Sequence, residues 1–245
     1  MSTLTRVGPS GDRVYKCVFF GPQGVGKSSV LYKLSGVGAE YGSLPPTTLF
    51  NRVSFDLMGP NGKATFDCWE ASAEPSLRVQ AASFLKRADF AVLVFSLADP
   101  NSLASLLRDW VPLVTENFGG GKPILFLGTC FDIPHPINVD NFRAALRGCQ
   151  ADCLFIEDVQ LLNTEGVIVP IFPYVFSEVS AVTGVNLSES FYKMILMIQK
   201  SEQAKLIAKS HLYLGKGHTA VANFGESVAL ETEEQLQPCC KLWPV

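Results

Sequence analysis

Hydrophobic and polar positions along this chain switch repeatedly between a period of two and a helical period. Residues 14–20 are apolar and rich in β-branched and aromatic types, which predicts a strand. Residues 29–34 follow with apolar positions at helical spacing. Residues 35–46 are rich in Gly, Ser and Pro and read as a loop. Residues 49–58 alternate loosely, residues 59–62 are turn-forming, and residues 63–70 return, so the three make a hairpin. After a loop over 71–76, residues 77–87 predict a short helix with Leu77, Ala81, Phe84 and Leu85 on one face. Residues 89–97 are almost continuously apolar, the mark of a parallel strand covered on both faces. Asp99-Pro100-Asn101-Ser102 supplies a cap and opens a helix carrying Leu103, Leu106, Leu107, Trp110 and Val114, which Gly119-Gly120-Gly121 ends. A second buried strand over 123–128, a loop with Pro134 and Pro136, and a helix over 138–148 come next. Residues 153–179 are rich in Ile, Val and Phe and read as extended, with Pro170 and Pro173 limiting regular pairing. The last helix covers 186–200, and periodicity fades after about Tyr213.

Strands alternating with helices predict an α/β fold, a doubly wound sheet whose ligands sit at the carboxyl ends of the strands. The 245 residues suffice for one core with an appendage, and 47% hydrophobic with 18% charged residues is a globular composition. A net charge of −3 gives no basic surface, so nucleic acid is not an expected partner. The first residues hold no apolar segment of a signal peptide, and no apolar run is long enough for a membrane span. Seven scattered cysteines suit a reducing cytosol and form neither a disulfide framework nor a zinc pattern. Cys149 and Cys153 are expected to be ordinary buried thiols.

The chemistry concentrates first in Gly21-Pro22-Gln23-Gly24-Val25-Gly26-Lys27-Ser28, which fits G-x-x-x-x-G-K-[ST] between a strand and a helix. Glycines let successive N–H groups turn inward toward phosphates. The helix that starts there adds the positive end of its dipole. Lys27 supplies a compact cation for the β- and γ-phosphates, and Ser28 offers a hydroxyl to Mg²⁺.

Later segments line up with this one. Residues 16–21 with Gly24-Val25-Gly26-Lys27-Ser28-Ser29, then Phe84-Leu85-Lys86-Arg87-Ala88-Asp89-Phe90 and Trp110, are similar to the Rab proteins. Over residues 13–200 the chain resembles the Ras-like small GTPases, in particular the Rab branch. The resemblance implies a P-loop G domain with a mostly parallel six-stranded sheet, helices on both faces and an insertion near 150–175. Residues 1–12 would be an N-terminal extension and 201–245 a partly disordered C-terminal one. It implies GTP or GDP with Mg²⁺ as bound groups, held by Gly21, Gln23, Gly24, Val25, Gly26, Lys27, Ser28 and Ser29.

In the first switch, Thr47 and Thr48 both qualify as the threonine that reaches Mg²⁺ and the γ-phosphate, with Thr47 favoured because it follows Pro46. In the second, the family pattern W-D-T-A-G-Q-E is replaced by Trp69-Glu70-Ala71-Ser72-Ala73-Glu74-Pro75. Glu70 takes the place of the aspartate that holds Mg²⁺ through water. Ala73 replaces a glycine and restricts the dihedrals the switch can reach. Glu74 replaces the catalytic glutamine; an ionised carboxylate adds negative charge and cannot donate to water. These changes predict very slow intrinsic hydrolysis, and Gln23 points the same way, since a bulky side chain in the glycine loop can obstruct an arginine finger.

The guanine loop is Gly128-Thr129-Cys130-Phe131-Asp132, with Asp132 set to accept from the base and Thr129 as in the Rho branch. Cys130 lacks the usual lysine stem. In Glu178-Val179-Ser180-Ala181-Val182-Thr183-Gly184-Val185-Asn186 the Ala181 N–H would meet the guanine oxygen, with Ser180 and Val182 beside it. The extra residues over 153–173 suggest an added loop or hairpin serving as a partner surface, or an elaborated edge strand. Cys239-Cys240 resembles a Rab prenylation site, but Leu242 stands where a C-a-a-X box needs Cys.

The resemblance thus implies a cytoplasmic nucleotide switch in vesicle or cargo trafficking, with effector and regulatory proteins at the switch loops. Peripheral membrane association stays open. So does a second reading, a hydrolysis-deficient scaffold subunit that holds its nucleotide constitutively. A P-loop kinase using ATP fits poorly, because Asp132 and the Ser180-Ala181 motif both address guanine.

Overall fold

The computed structural model describes residues 13–37, 47–59, 62–149, 154–157 and 171–214. Several sequence expectations therefore lie outside the described residues: both terminal extensions as far as residue 12 and from residue 215, the centre of the first switch loop, Pro60, Asn61, Cys153, Pro170 and the Cys239-Cys240 pair. Two compact units divide the chain, Met1–Lys205 and Leu206–Val245. The first holds all the described strands; of the second, the end of the last helix is described.

The α/β fold is the expected one. The elements run β1 (Arg13–Phe20), α1 (Lys27–Ser35), β2 (Phe50–Gly59), β3 (Gly62–Ala71), a short 3-10 turn (Pro75–Leu77), α2 (Arg78–Leu85), β4 (Phe90–Ser96) and α3 (Pro100–Ser105). A π-helical turn (Leu106–Trp110), α4 (Val111–Phe118), β5 (Ile124–Thr129), α5 (Val139–Gly148), β6 (Leu154–Ile156), β7 (Ile171–Glu178) and α6 (Leu187–Leu214) complete it. The strand order is β2-β3-β1-β4-β5-β7-β6. β2 and β3 form the predicted antiparallel hairpin, and the other pairs are parallel. The six strands expected of a small G domain are present, and β6 adds a short seventh at the edge.

Alternation along β1 decides which layer each side chain joins. Tyr15, Cys17 and Phe19 face one layer with Val30 and Leu31 of α1 and Phe191, Met194 and Ile198 of α6. Val18 and Phe20 face the other, with Leu85 of α2, Trp110, Val114 of α4 and Phe142 of α5. β4 and β5 are buried along their whole length, as their unbroken apolar runs predict.

Four expectations need correction. The helix over 99–118 starts as predicted, with the Asp99 carboxylate accepting from the Asn101 N–H at 3.0 Å. It is interrupted, however: Pro112 has no N–H for the preceding turn and its ring crowds the chain, and the turn just before it widens to π geometry. On α2, Ala81, Ala82 and Leu85 are buried, whereas Phe84, and Leu77 in the 3-10 turn before it, are only half-buried. The last helix runs to Leu214 rather than Lys200. Cys149 is half-buried, its Sγ 3.5 Å from the Leu107 carbonyl, not a core thiol.

Of the stretch after α5, residues 154–157 and those from 171 are described, and they form an added strand at the sheet edge. β6 pairs parallel with β7, and residues 158–170 between them lie outside the described residues. Pro173 closes the β6 ladder opposite Ile156, and β7 begins its pairing with β5 one residue later, at Tyr174. A residue without an N–H is thereby kept out of the β5 ladder. The Arg143 guanidinium of α5 grips Glu157 in a bidentate pair at 2.8 and 3.0 Å, holding the edge strand to the domain.

Candidate nucleotide site

β1, β4 and β5 all end at one rim of the sheet, and the glycine loop leaves from there. Gly21 takes φ +147°, and a Cβ on it would stand 2.1 Å from the Val94 carbonyl oxygen of β4, so only glycine passes. Gly24 and Gly26 are also left-handed, at φ +78° and +87°. Gly26 caps α1 and brings no side chain, so the first amides of the helix are left to an incoming anion. Val25 is buried beneath the loop, Ser29 is half-buried and Gln23 is exposed.

Lys27 is only 6% exposed. Its Nζ donates to the Gly21 and Pro22 carbonyls at 2.9 and 2.8 Å, which keeps the ammonium inside the loop. Burial lowers its pKa to about 8, against the opposing pull of the Glu70 carboxylate.

Beside the cation three oxygens converge. The Ser28 hydroxyl donates to Glu70 Oε1 at 2.6 Å, and the Thr47 hydroxyl donates to the same oxygen at 3.0 Å. The two hydroxyls are 3.3 Å apart. Glu70 is buried near the end of β3, in register with Phe19 of β1, so the sheet fixes its backbone. Of the two candidate threonines, Thr47 is the one brought to this cluster; Thr48 is exposed. Two hydroxyls and a carboxylate are hard oxygen donors, a set that fits Mg²⁺ with water and phosphate completing its shell.

The second switch segment is tied at its start. The Ser72 N–H donates to the Leu49 carbonyl at 3.0 Å, and the Glu74 N–H donates to the Ser72 hydroxyl at 3.2 Å. Ala73 packs against the apolar layer under α2, while Glu74 is exposed.

On the base side, Thr129 is buried and its hydroxyl sits 2.7 Å from the Val25 carbonyl and 3.0 Å from the Phe95 carbonyl. One side chain thus ties the end of β5 to the glycine loop. Cys130 itself takes φ +63°, rare for a non-glycine residue and typical of functional loops. Asp132 follows it, exposed. The Phe131 N–H donates to the Val179 carbonyl and the Val179 N–H to the Gly128 carbonyl, at 3.1 and 2.7 Å. These bonds bring the Asp132 loop against the Ser180-Ala181-Val182 turn.

Sequence reasoning missed three contributors. Asn51 Nδ2 donates to Glu70 Oε2 at 3.4 Å from the neighbouring strand. Lys33 Nζ donates to the Val182 carbonyl at 2.9 Å. Phe50, Trp69 and Phe84 form a packed aromatic platform between the switch segments, with Phe84 centred 4.8 Å from Phe50 and 4.9 Å from Trp69. Arg52 lies over Trp69 and pairs bidentately with Asp67 at 2.7 and 2.9 Å. A cavity of about 630 Å³ opens beside this platform, rimmed by Lys16, Lys86 and Arg87. Register across the β2–β3 hairpin could have indicated Asn51, which faces Glu70; the other two depend on distant segments meeting.

A model of the Ras family matches residues 16–200. The chain is 26% identical over 191 residues to EF-hand calcium-binding domain-containing protein 4B of Homo sapiens, an alignment covering 78% of this chain and 23% of that protein. It is 28% identical over 144 residues to Ras-related protein Rab-7B of Dictyostelium discoideum, covering 57% and 68%. With Ras-related protein RabZ of the same organism it shares 24% over 190 residues, covering 78% and 73%. The chain therefore spans about a quarter of the length of the EF-hand relative and more of the two Rab proteins. The matched stretch runs from β1 into α6 and takes in the glycine loop, both switch segments and both base-side loops: this chain belongs to the Ras family of small GTPases.

Proposed function

We propose that this chain binds GTP and GDP with Mg²⁺ through the glycine loop and works as a Rab-like molecular switch in vesicle or cargo trafficking, with slow intrinsic hydrolysis. The observation that carries this is the meeting of Ser28, Thr47 and Glu70 at the mouth of an amide cradle that also holds Lys27. Ser28, Thr47 and Glu70 would hold Mg²⁺ there, and the ion would supply positive charge to offset that of the phosphates. The Gly24–Ser29 amides and Lys27 hold the phosphates. Ser28, Thr47 and Glu70 present oxygens to the cation. Asp132 accepts from the edge of guanine, and Ala181 offers its N–H to the base oxygen. Thr47 stands three residues before β2, so an engaged γ-phosphate orders the first switch and, through the Ser72–Leu49 bond, biases the second. Partners then read the Phe50, Trp69 and Phe84 platform. The trafficking role and a cytoplasmic, membrane-peripheral location rest on the likeness to Rab proteins, among them Rab-7B and RabZ.

Slow hydrolysis follows from Glu74. Its carboxylate accepts and does not donate, and its own N–H is already taken by Ser72. The same observation favours a second reading, a hydrolysis-deficient scaffold subunit that keeps GTP bound.

Chromatography of the nucleotide released from purified protein tests the site, with Lys27→Ala as the control. Stoichiometric guanine nucleotide in the wild type and its loss in the variant are expected; equal content in both refutes the cradle. Single-turnover GTP hydrolysis, with and without cytosolic extract, separates switch from scaffold: no turnover in either selects the scaffold.

A further inference from the structure

The turn after β7 is closed on itself. The Ser180 N–H donates to the Val185 carbonyl at 3.2 Å, the Gly184 N–H to the Ser180 carbonyl at 2.9 Å, and the Thr183 N–H to the Ser180 hydroxyl at 3.1 Å. Asn186 Nδ2 donates to the Glu178 carbonyl at 2.8 Å across its base. These bonds shape the turn but do not aim it. Ala181 packs against the apolar layer that holds Val25 and Leu31, and two sets of hydrogen bonds also tie the turn to neighbouring segments. One is the pair of backbone bonds from Val179 to the Asp132 loop. The other is Lys33, whose ammonium donates to the Val182 carbonyl one residue beyond Ala181.

The stem of Lys33 is seated as well as its tip. Gly184 takes φ +85°, and a Cβ built on it would come 3.1 Å from Lys33 Cε and 4.0 Å from Nζ. The lysine therefore runs through the space a side chain at 184 would need. Val182 itself is 53% exposed and does not anchor the turn. Lys33 lies in the last turn of α1, the helix whose first residues are Lys27 and Ser28. One short rigid rod thus connects the phosphate cradle to the turn that carries the Ala181 N–H.

We propose that Lys33 is a positioning residue for base recognition: its hydrogen bond to the Val182 carbonyl sets the Ala181 N–H toward the carbonyl oxygen of guanine. The inference rests on the guanine-nucleotide reading above and goes beyond it by naming which residue sets the oxygen-reading arm. Asp132 reads the other edge of the base, the ring N–H and exocyclic amine, from a different loop. The two arms are therefore separable with modified bases.

The test is calorimetric titration of the full chain, with magnesium, against GDP, 6-thio-GDP and IDP. The thio compound replaces the carbonyl oxygen by sulfur, a weaker acceptor; IDP lacks the exocyclic amine. In Lys33→Met the stem stays and the donor goes. GDP affinity should fall about tenfold, a lost hydrogen bond with its disordered turn. The preference for GDP over 6-thio-GDP should shrink toward parity, while the preference for GDP over IDP stays at the wild-type value. Lys33→Arg should restore the oxygen preference. An unchanged GDP to 6-thio-GDP ratio in Lys33→Met overturns the proposal, as does an equal loss for all three nucleotides, which marks general damage. A wild-type chain that binds none of the three overturns the guanine reading itself and the role of Lys33 with it.

Discussion

The Ser28 hydroxyl and Glu70 Oε1 lie 2.6 Å apart, although 42 residues separate them in sequence. The contact joins the first turn of α1 to the end of β3. Glu70 is one methylene longer than the aspartate common at this position in the family, and the parallel register of β1 and β3 brings that longer side chain directly to the serine. Removing it with Glu70→Ala should speed GDP release in magnesium about tenfold, the effect of losing one carboxylate near a divalent cation. Fluorescent-nucleotide release should also lose most of its sensitivity to EDTA. Full EDTA sensitivity in the variant would take Glu70 out of the cation site.

Asp132→Asn exchanges an acceptor pair for one acceptor and one donor. Competition binding should show preference moving from guanine to xanthine nucleotides by at least about tenfold. Unaltered selectivity would remove Asp132 from base recognition.

Glu74 and Ala73 are both exchanged relative to the family pattern, and restoring both tests the slow-hydrolysis assignment. The double variant Ala73→Gly with Glu74→Gln returns a group that can donate to and accept from water, and it frees the backbone before it. Single-turnover hydrolysis should rise to on the order of 10⁻⁴ s⁻¹, the unassisted rate of an intact family member. A rate equal to that of the wild type assigns the deficiency elsewhere.

Gly21→Ala drives a methyl group into the Val94 carbonyl, which would lie 2.1 Å away. Backbone on both sides has to shift, at a cost of about 2 kcal/mol or more. Thermal unfolding should move down by about 5 °C in a domain of this size. An unchanged midpoint would show that β1 and β4 are looser at this rim than their contact implies.

Asp89 accepts the Lys16 N–H at 2.8 Å and returns its own N–H to the Lys16 carbonyl at 2.8 Å. Burial raises its carboxyl pKa above the ordinary 3.8, with that N–H and the nearby Arg13, Lys122 and Lys16 charges pulling the other way. A native pKa above the unfolded one means stability that is complete below the unfolded value and lost as pH rises through the native value. Asp89→Asn keeps an acceptor and cannot ionise. Its melting temperature relative to wild type should therefore climb between pH 4 and pH 7. A constant difference across that range would show that the charged form carries no penalty.

Much of this protein was legible as pattern. The Gly21–Ser28 motif, the buried strands β4 and β5 and the β2–β3 hairpin each depend on residues close together in the chain, and each appears where its local spacing predicts. The departures have local signals that were ambiguous. Pro112 fits the start of a helix as well as the interruption of one, and an apolar run such as 153–179 does not state whether its strands pair parallel or antiparallel.

By itself, then, the order of residues determined the alternation of strands and helices, the glycine loop between β1 and α1, and which positions of the second switch depart from the family pattern. Periodicity and backbone preference act within a few residues, so they are written directly in the chain. Tertiary structure alone decided that Thr47 rather than Thr48 meets Ser28 and Glu70, that Thr129 ties the base-side strand to the glycine loop, and that Lys33 reaches the Val182 carbonyl. Those contacts join segments up to 149 residues apart. Their geometry comes from strand register and helix placement across the whole sheet, which no local stretch encodes.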